Sequence, residues 1–105
     1  MSGSQTARDK VEAWITGHGD KIGTLRELRR IEDPSYSLNA WFETPQFLID
    51  ISAWDNASCL DIEALNATTE ETEFCVTGPC EDDGALFKRL EEFLRWIEVR
   101  ENRAT

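Results

Sequence analysis

From Ser37 to Leu65 apolar and polar residues alternate through three consecutive segments. A period of two belongs to a half-buried strand and not to an amphipathic helix. Ser37 to Glu43 places Leu38, Ala40 and Phe42 on one face, with Asn39, Trp41 and Glu43 on the other. Phe47 to Trp54 places Phe47, Ile49, Ile51 and Ala53 opposite Leu48, Asp50, Ser52 and Trp54. Cys59 to Leu65 turns Leu60 and Ile62 inward and Asp61 and Glu63 outward. The joins, Thr44-Pro45-Gln46 and Asp55-Asn56-Ala57-Ser58, are short and have turn composition. Strands joined so briefly run antiparallel, because a parallel return needs a crossover of a dozen residues or more. Asn66 to Glu71 reads as a further turn. Glu73 to Thr77 reads as a short strand with Phe74 and Val76 inward.

The flanks carry helical patterns. Val11, Trp14 and Ile15 recur at helical spacing in a segment from about Thr6 to Thr16, with Ser4 or Thr6 as its cap and Gly17 and Gly19 as its end. Leu86, Phe87, Leu90, Phe93, Leu94 and Ile97 form the longest apolar stripe in the chain, after Asp82 or Asp83 as cap. Ile22 to Glu32 admits two readings. Ile22, Leu25, Leu28 and Ile31 recur every third residue, as in a helix, whereas Leu25, Glu27, Arg29 and Ile31 alternate, as in a strand. It is assigned as a strand ending at the Asp33-Pro34-Ser35 turn.

The expected fold is therefore α+β. An antiparallel meander of four to five strands has an N-terminal helix and a long C-terminal helix packed on one face. The 105 residues suit one domain, 1–105, with residues 1–5 expected to be disordered. No apolar run is long enough to span a membrane, and the N-terminal residues lack the apolar stretch of a secretory signal. Three cysteines, Cys59, Cys75 and Cys80, fit reduced thiols in a cytoplasmic protein, although Cys75 and Cys80 are near enough in sequence to pair.

The net charge of −10 is unevenly spread. No lysine or arginine occurs from Glu32 to Phe87, a stretch with thirteen acids, while the flanks hold all eleven basic residues and the other eight acids. Such a field repels nucleic acid and favours a basic partner or simply high solubility. Two helices on one face leave the opposite face of the sheet uncovered. That face is expected to carry Trp41, Glu43, Leu48, Asp50, Trp54, Asp61 and Glu63, with Asp55 at the strand end. Tryptophan is enriched at interface hot spots, and a rim of acids selects a cationic partner. The plainer alternative is that loops or a register slip bury the tryptophans.

The chain offers little for catalysis. His18 is the sole histidine and sits between two glycines, as a helix-terminal or surface residue would. Three scattered cysteines and one histidine give no metal-ligand spacing, and there is no glycine-rich phosphate loop. The run Glu81-Asp82-Asp83 reads as helix capping before cation binding. No catalytic residue, metal or cofactor is expected.

The central segments Ser37-Leu38-Asn39-Ala40-Trp41-Phe42-Glu43, Ile49-Asp50-Ile51-Ser52-Ala53-Trp54-Asp55 and Cys59-Leu60-Asp61-Ile62-Glu63-Ala64-Leu65 resemble the TriTu family of bacterial immunity proteins. The order of elements is similar across most of the chain. The resemblance implies a protein that protects a bacterium from its own Rhs-type polymorphic toxin, delivered by a type VI secretion system. That toxin is an ADP-ribosyltransferase acting on EF-Tu. The resemblance further implies a cytoplasmic antidote, without cofactor or activity of its own, that blocks the NAD or substrate cleft as a monomer in a 1:1 complex. Its acids would then pair with arginines that hold the NAD pyrophosphate. An adaptor or chaperone domain for a secretion apparatus or other cytoplasmic complex is the competing expectation.

Overall fold

The computed structural model describes residues 7–31, 37–54, 59–78, 80 and 82–100. The alternation becomes a five-stranded sheet: β1 (Thr24–Ile31), β2 (Ser37–Glu43), β3 (Phe47–Trp54), β4 (Cys59–Asn66) and β5 (Thr72–Val76). Spatial order follows chain order, and each neighbouring pair is antiparallel. Two helices, α1 (Ala7–Ile22) and α2 (Asp83–Arg100), flank it in sequence. The fold is α+β, as the patterns require.

Register explains the core. Ala40 lies opposite Ile51, which lies opposite Ile62. Leu38, Ala53 and Leu60 form a parallel row, as do Phe42, Ile49 and Ala64. All nine are buried. α1 covers this face with Val11, Trp14, Ile15 and Ile22, and α2 covers it with Leu86, Leu90, Phe93 and Ile97. Phe87 and Leu94 of the expected stripe are only partly buried. Trp96, outside that stripe, packs on Phe47 and Phe74 with ring centroids 5.0 and 5.2 Å apart.

Local chemistry sets the joins. Between β2 and β3 the Thr44 amide donates to the Phe47 carbonyl at 2.9 Å, and the Phe47 amide donates to Thr44 Oγ1 at 2.9 Å. Between β4 and β5 the amides of Thr68 and Thr69 donate to Asn66 Oδ1 at 2.8 and 3.0 Å. Asp82 caps α2, its Oδ1 accepting from the Ala85 amide at 2.8 Å. Arg89 reaches from α2 to donate to the carbonyls of Gly78 at 2.8 Å and Leu60 at 3.3 Å, tying the helix to the start of β4 and to the segment after β5.

Two local expectations are corrected. α1 does not end at Gly17 or Gly19 but continues to Ile22, so Ile22 belongs to the helix and not to the following strand. The reason is burial: Ile22 is fully enclosed in the core, which extends the helix past both glycines. Gly19 lies against the Phe42 ring, where an added Cβ would be 3.4 Å from it. The second correction concerns β1. Pairing shifts between Leu25 and Glu27, so Leu25 opposes Phe42 while Glu27 opposes Trp41. The extra residue, Arg26, breaks the alternation. Leu25 therefore shares the helix-covered face with Leu28, and Glu27, Arg29 and Ile31 share the other.

The expected disordered start, the Ser4 and Thr6 caps, and the Asp33-Pro34-Ser35 and Asp55–Ser58 turns lie outside the described residues, as does the Cys59 side chain. No disulfide joins Cys75, which is exposed, to Cys80, which is buried. No described helix is long and apolar enough to cross a membrane.

Candidate functional site

Both helices pack on one side of the sheet, leaving the other side as the candidate site. Strand pairing lays its side chains out in rows. Trp41 is opposite Asp50, Asp50 opposite Glu63 and Glu63 opposite Cys75. A second row runs Arg29, Asn39, Ser52, Asp61. A third runs Glu43, Leu48, Leu65, Thr72. Neighbours within a row are about 5 Å apart along the hydrogen-bonding direction.

The face is apolar at one end. Trp41 and Leu48 are 43% and 41% exposed, unusual for side chains of their size. Together with Arg26, Phe42, Ile49 and Asp50 they line a hollow of about 250 Å³. A second hollow of about 170 Å³ is lined by Asp50, Ser52, Asp61, Ile62, Glu63, Cys75 and Thr77. The two meet at Asp50.

Charge divides the face in a similar way. Near β1 the carboxylates have cations: Arg26 Nε lies 3.4 Å from Glu43 Oε1, and Arg29 Nη2 lies 2.8 Å from Glu27 Oε2. On β3 and β4, no described cation pairs with Asp50, Asp61 or Glu63. Their partners are neutral. Asp50 Oδ1 accepts from Asn39 Nδ2 at 2.6 Å and from Ser52 Oγ at 3.2 Å. Asp61 Oδ1 accepts from the Gly78 amide at 3.2 Å, and Glu63 Oε2 accepts from Thr72 Oγ1 at 3.5 Å. Asp50 and Glu63 are direct cross-strand neighbours, a like-charge pairing that opposes folding.

Of the residues singled out in the sequence, Trp41, Glu43, Asp50, Asp61 and Glu63 share this face, and Trp54 joins them half-buried at the opposite end. Trp54 lies four positions along β3 from the partner of Trp41, about 13 Å away, so the two tryptophans form no single patch. Asp55 lies outside the described residues. Arg26, Asn39, Ser52, Cys75 and Thr77 also line or support the face. Alternation along β5 puts Cys75 outward, but its place beside Glu63 depends on register.

His18 lies inside α1, not at its end. Its ring stacks on Trp14 with centroids 4.6 Å apart, and Nδ1 faces the Trp14 carbonyl at 2.9 Å. It is therefore on the helix side of the sheet, whereas Cys75 is on the open side. Among the described residues no group of three or more His, Cys, Asp or Glu side chains could hold a metal ion. No protein-family model, curated protein or solved structure matches this chain.

Proposed function

We propose that this protein is an immunity protein of the kind its central strands resemble. It binds a cognate ADP-ribosyltransferase toxin acting on EF-Tu and occludes the NAD or substrate cleft. The observation that supports this reading is the open sheet face, where exposed Trp41 and Leu48 adjoin Asp50, with Glu63 and Asp61 on the next strand, and no described cation pairs with these three carboxylates. Aromatic and aliphatic anchors supply contact area, while acids without a described cation favour a cleft lined with arginine and speed encounter with it. An antidote of this type works by occupancy in the cytoplasm, as one copy on one toxin domain, with no cofactor and no reaction.

The test pairs this chain with the toxin encoded beside it. Co-expression is expected to rescue cells from growth arrest, and the two proteins are expected to co-purify in a 1:1 complex. Trp41→Ala with Asp61→Lys is expected to weaken binding by about a hundredfold or more, the loss typical of two hot-spot changes, with the circular dichroism spectrum unchanged. Absence of both rescue and complex would reject the immunity reading. Full affinity in the double variant would move the contact off this face.

A further inference from the structure

We infer that the row Trp41–Asp50–Glu63 receives one arginine of the partner, and that the adjoining Trp41–Leu48 hollow receives an apolar side chain two positions away along the same extended segment. This rests on reading the open face as the docking surface, and it specifies the chemistry of what docks.

Charge complementarity selects a cation. Asp50, Asp61 and Glu63 are crowded on adjacent strands, and no described lysine or arginine forms an ion pair with them; Arg26, which shares the hollow with Asp50, pairs with Glu43. Bringing a cation to them relieves a repulsion already present in the unbound protein. Geometry then selects arginine over lysine. Trp41 is the direct cross-strand neighbour of Asp50, and Asp50 of Glu63. A planar guanidinium can stack on the indole and direct its N–H fork at the two carboxylates, whereas a hydrated ammonium satisfies only the charge. Asp50 is already oriented for this role. Asn39 and Ser52 both donate to Oδ1, and no described donor takes Oδ2.

The apolar half follows from the two hollows meeting at Asp50. Side chains at i and i+2 of an extended chain project to the same side about 6.6 Å apart. That spacing lets one enter the hollow beside Leu48 while the other spans the acids. The apolar residue covers exposed Trp41 and Leu48 and shields the ion pair from water, which strengthens it.

The probes are capped tripeptides, acetyl-Leu-Ser-Arg-amide and its reverse, acetyl-Arg-Ser-Leu-amide, titrated into the ¹⁵N-labelled full chain. Matched peptides with lysine or uncharged citrulline in place of arginine serve as controls. At least one arginine peptide is expected to shift the Trp41 indole N–H and the amides of Asp50 and Glu63, with a dissociation constant about fivefold below that of its lysine counterpart. Glu63→Gln and Leu48→Ala are each expected to weaken it about threefold to tenfold. Equal binding of arginine, lysine and citrulline peptides would overturn the inference, as would shifts centred elsewhere or no shift at tens of millimolar. An intact response to Glu63→Gln would do the same. A chain that binds the arginine peptide selectively but fails to rescue cells would keep this inference and lose the immunity reading. Rescue without arginine selectivity would do the reverse.

Discussion

A methyl group on Gly23 would sit 2.8 Å from the Glu43 carbonyl oxygen and 2.8 Å from Thr44 Cγ2. At this position the chain leaves α1 and enters β1 against the end of β2, and one obstacle is backbone that cannot swing aside. Gly23→Ala is therefore expected to destabilise the protein by about 1–3 kcal/mol, as overpacking does. Gly17 makes the opposite case. It lies within α1 with nothing within 4 Å of an added Cβ, so Gly17→Ala is expected to stabilise by about 0.5–1 kcal/mol. Urea unfolding followed by circular dichroism checks both. Equal effects would mean that helix propensity, not close approach, governs these glycines. In the sequence Gly17 marked a helix end and Gly23 fell inside the segment assigned as a strand, so neither effect was legible there. Only the neighbours supplied by β2 distinguish them. The outward parity of Trp41 and Leu48 was legible, because alternation is a local property. The position of Arg26 was not, because a bulge is defined by the partner strand.

The helices were legible in proportion to their regularity. The stripe of α2 places Leu86, Leu90, Phe93 and Ile97 along one line, and all four are buried. Trp96 falls about 90° off that line at about 100° per residue, so periodicity assigns it to the flank. Its ring is long enough to turn back onto Phe47, Phe74 and Phe93, and Arg100 lies over its outer side at 5.3 Å. Phe93 is fully buried in this cluster, packed on Phe74 and Trp96. Phe93→Ala is expected to cost about 3–5 kcal/mol and to lower the urea midpoint without changing the slope. A loss under 1 kcal/mol would mean that the cluster closes over the gap. α1 was harder to delimit, since glycine is both a helix terminator and a residue of close packing. Burial of Ile22 decided between those roles.

For the protein as one body, charge and packing work against each other on the open face. The acids Asp50, Asp61 and Glu63, for which no described cation forms an ion pair, repel one another in the unbound chain, yet they are the groups that the proposed basic partner needs. Replacing them together, Asp50→Asn, Asp61→Asn and Glu63→Gln, is expected to raise the melting temperature in low salt. The gain should shrink at about 0.5 M salt, where screening already weakens the repulsion. The same variant is expected to associate more slowly with the proposed toxin partner. A lower melting temperature would show that the hydrogen bonds these acids accept outweigh their repulsion.

Alternation and short joins were enough to establish an antiparallel sheet, the residues of its buried face and the helix that closes it. These are local signals, carried by spacing within a few residues. The acid-rich middle and basic flanks were equally plain in the chain. Folding decided how those residues meet. It set Trp41 beside Asp50 and Glu63, placed Trp54 at the far end of the face, gave Glu43 a cation and left Asp50, Asp61 and Glu63 without a described one. The physical reason is register. Cross-strand neighbours lie many residues apart in sequence, and turns, bulges and core packing together choose which of several pairings is realised. A shift of two residues would have kept every side chain on its face and changed every neighbour.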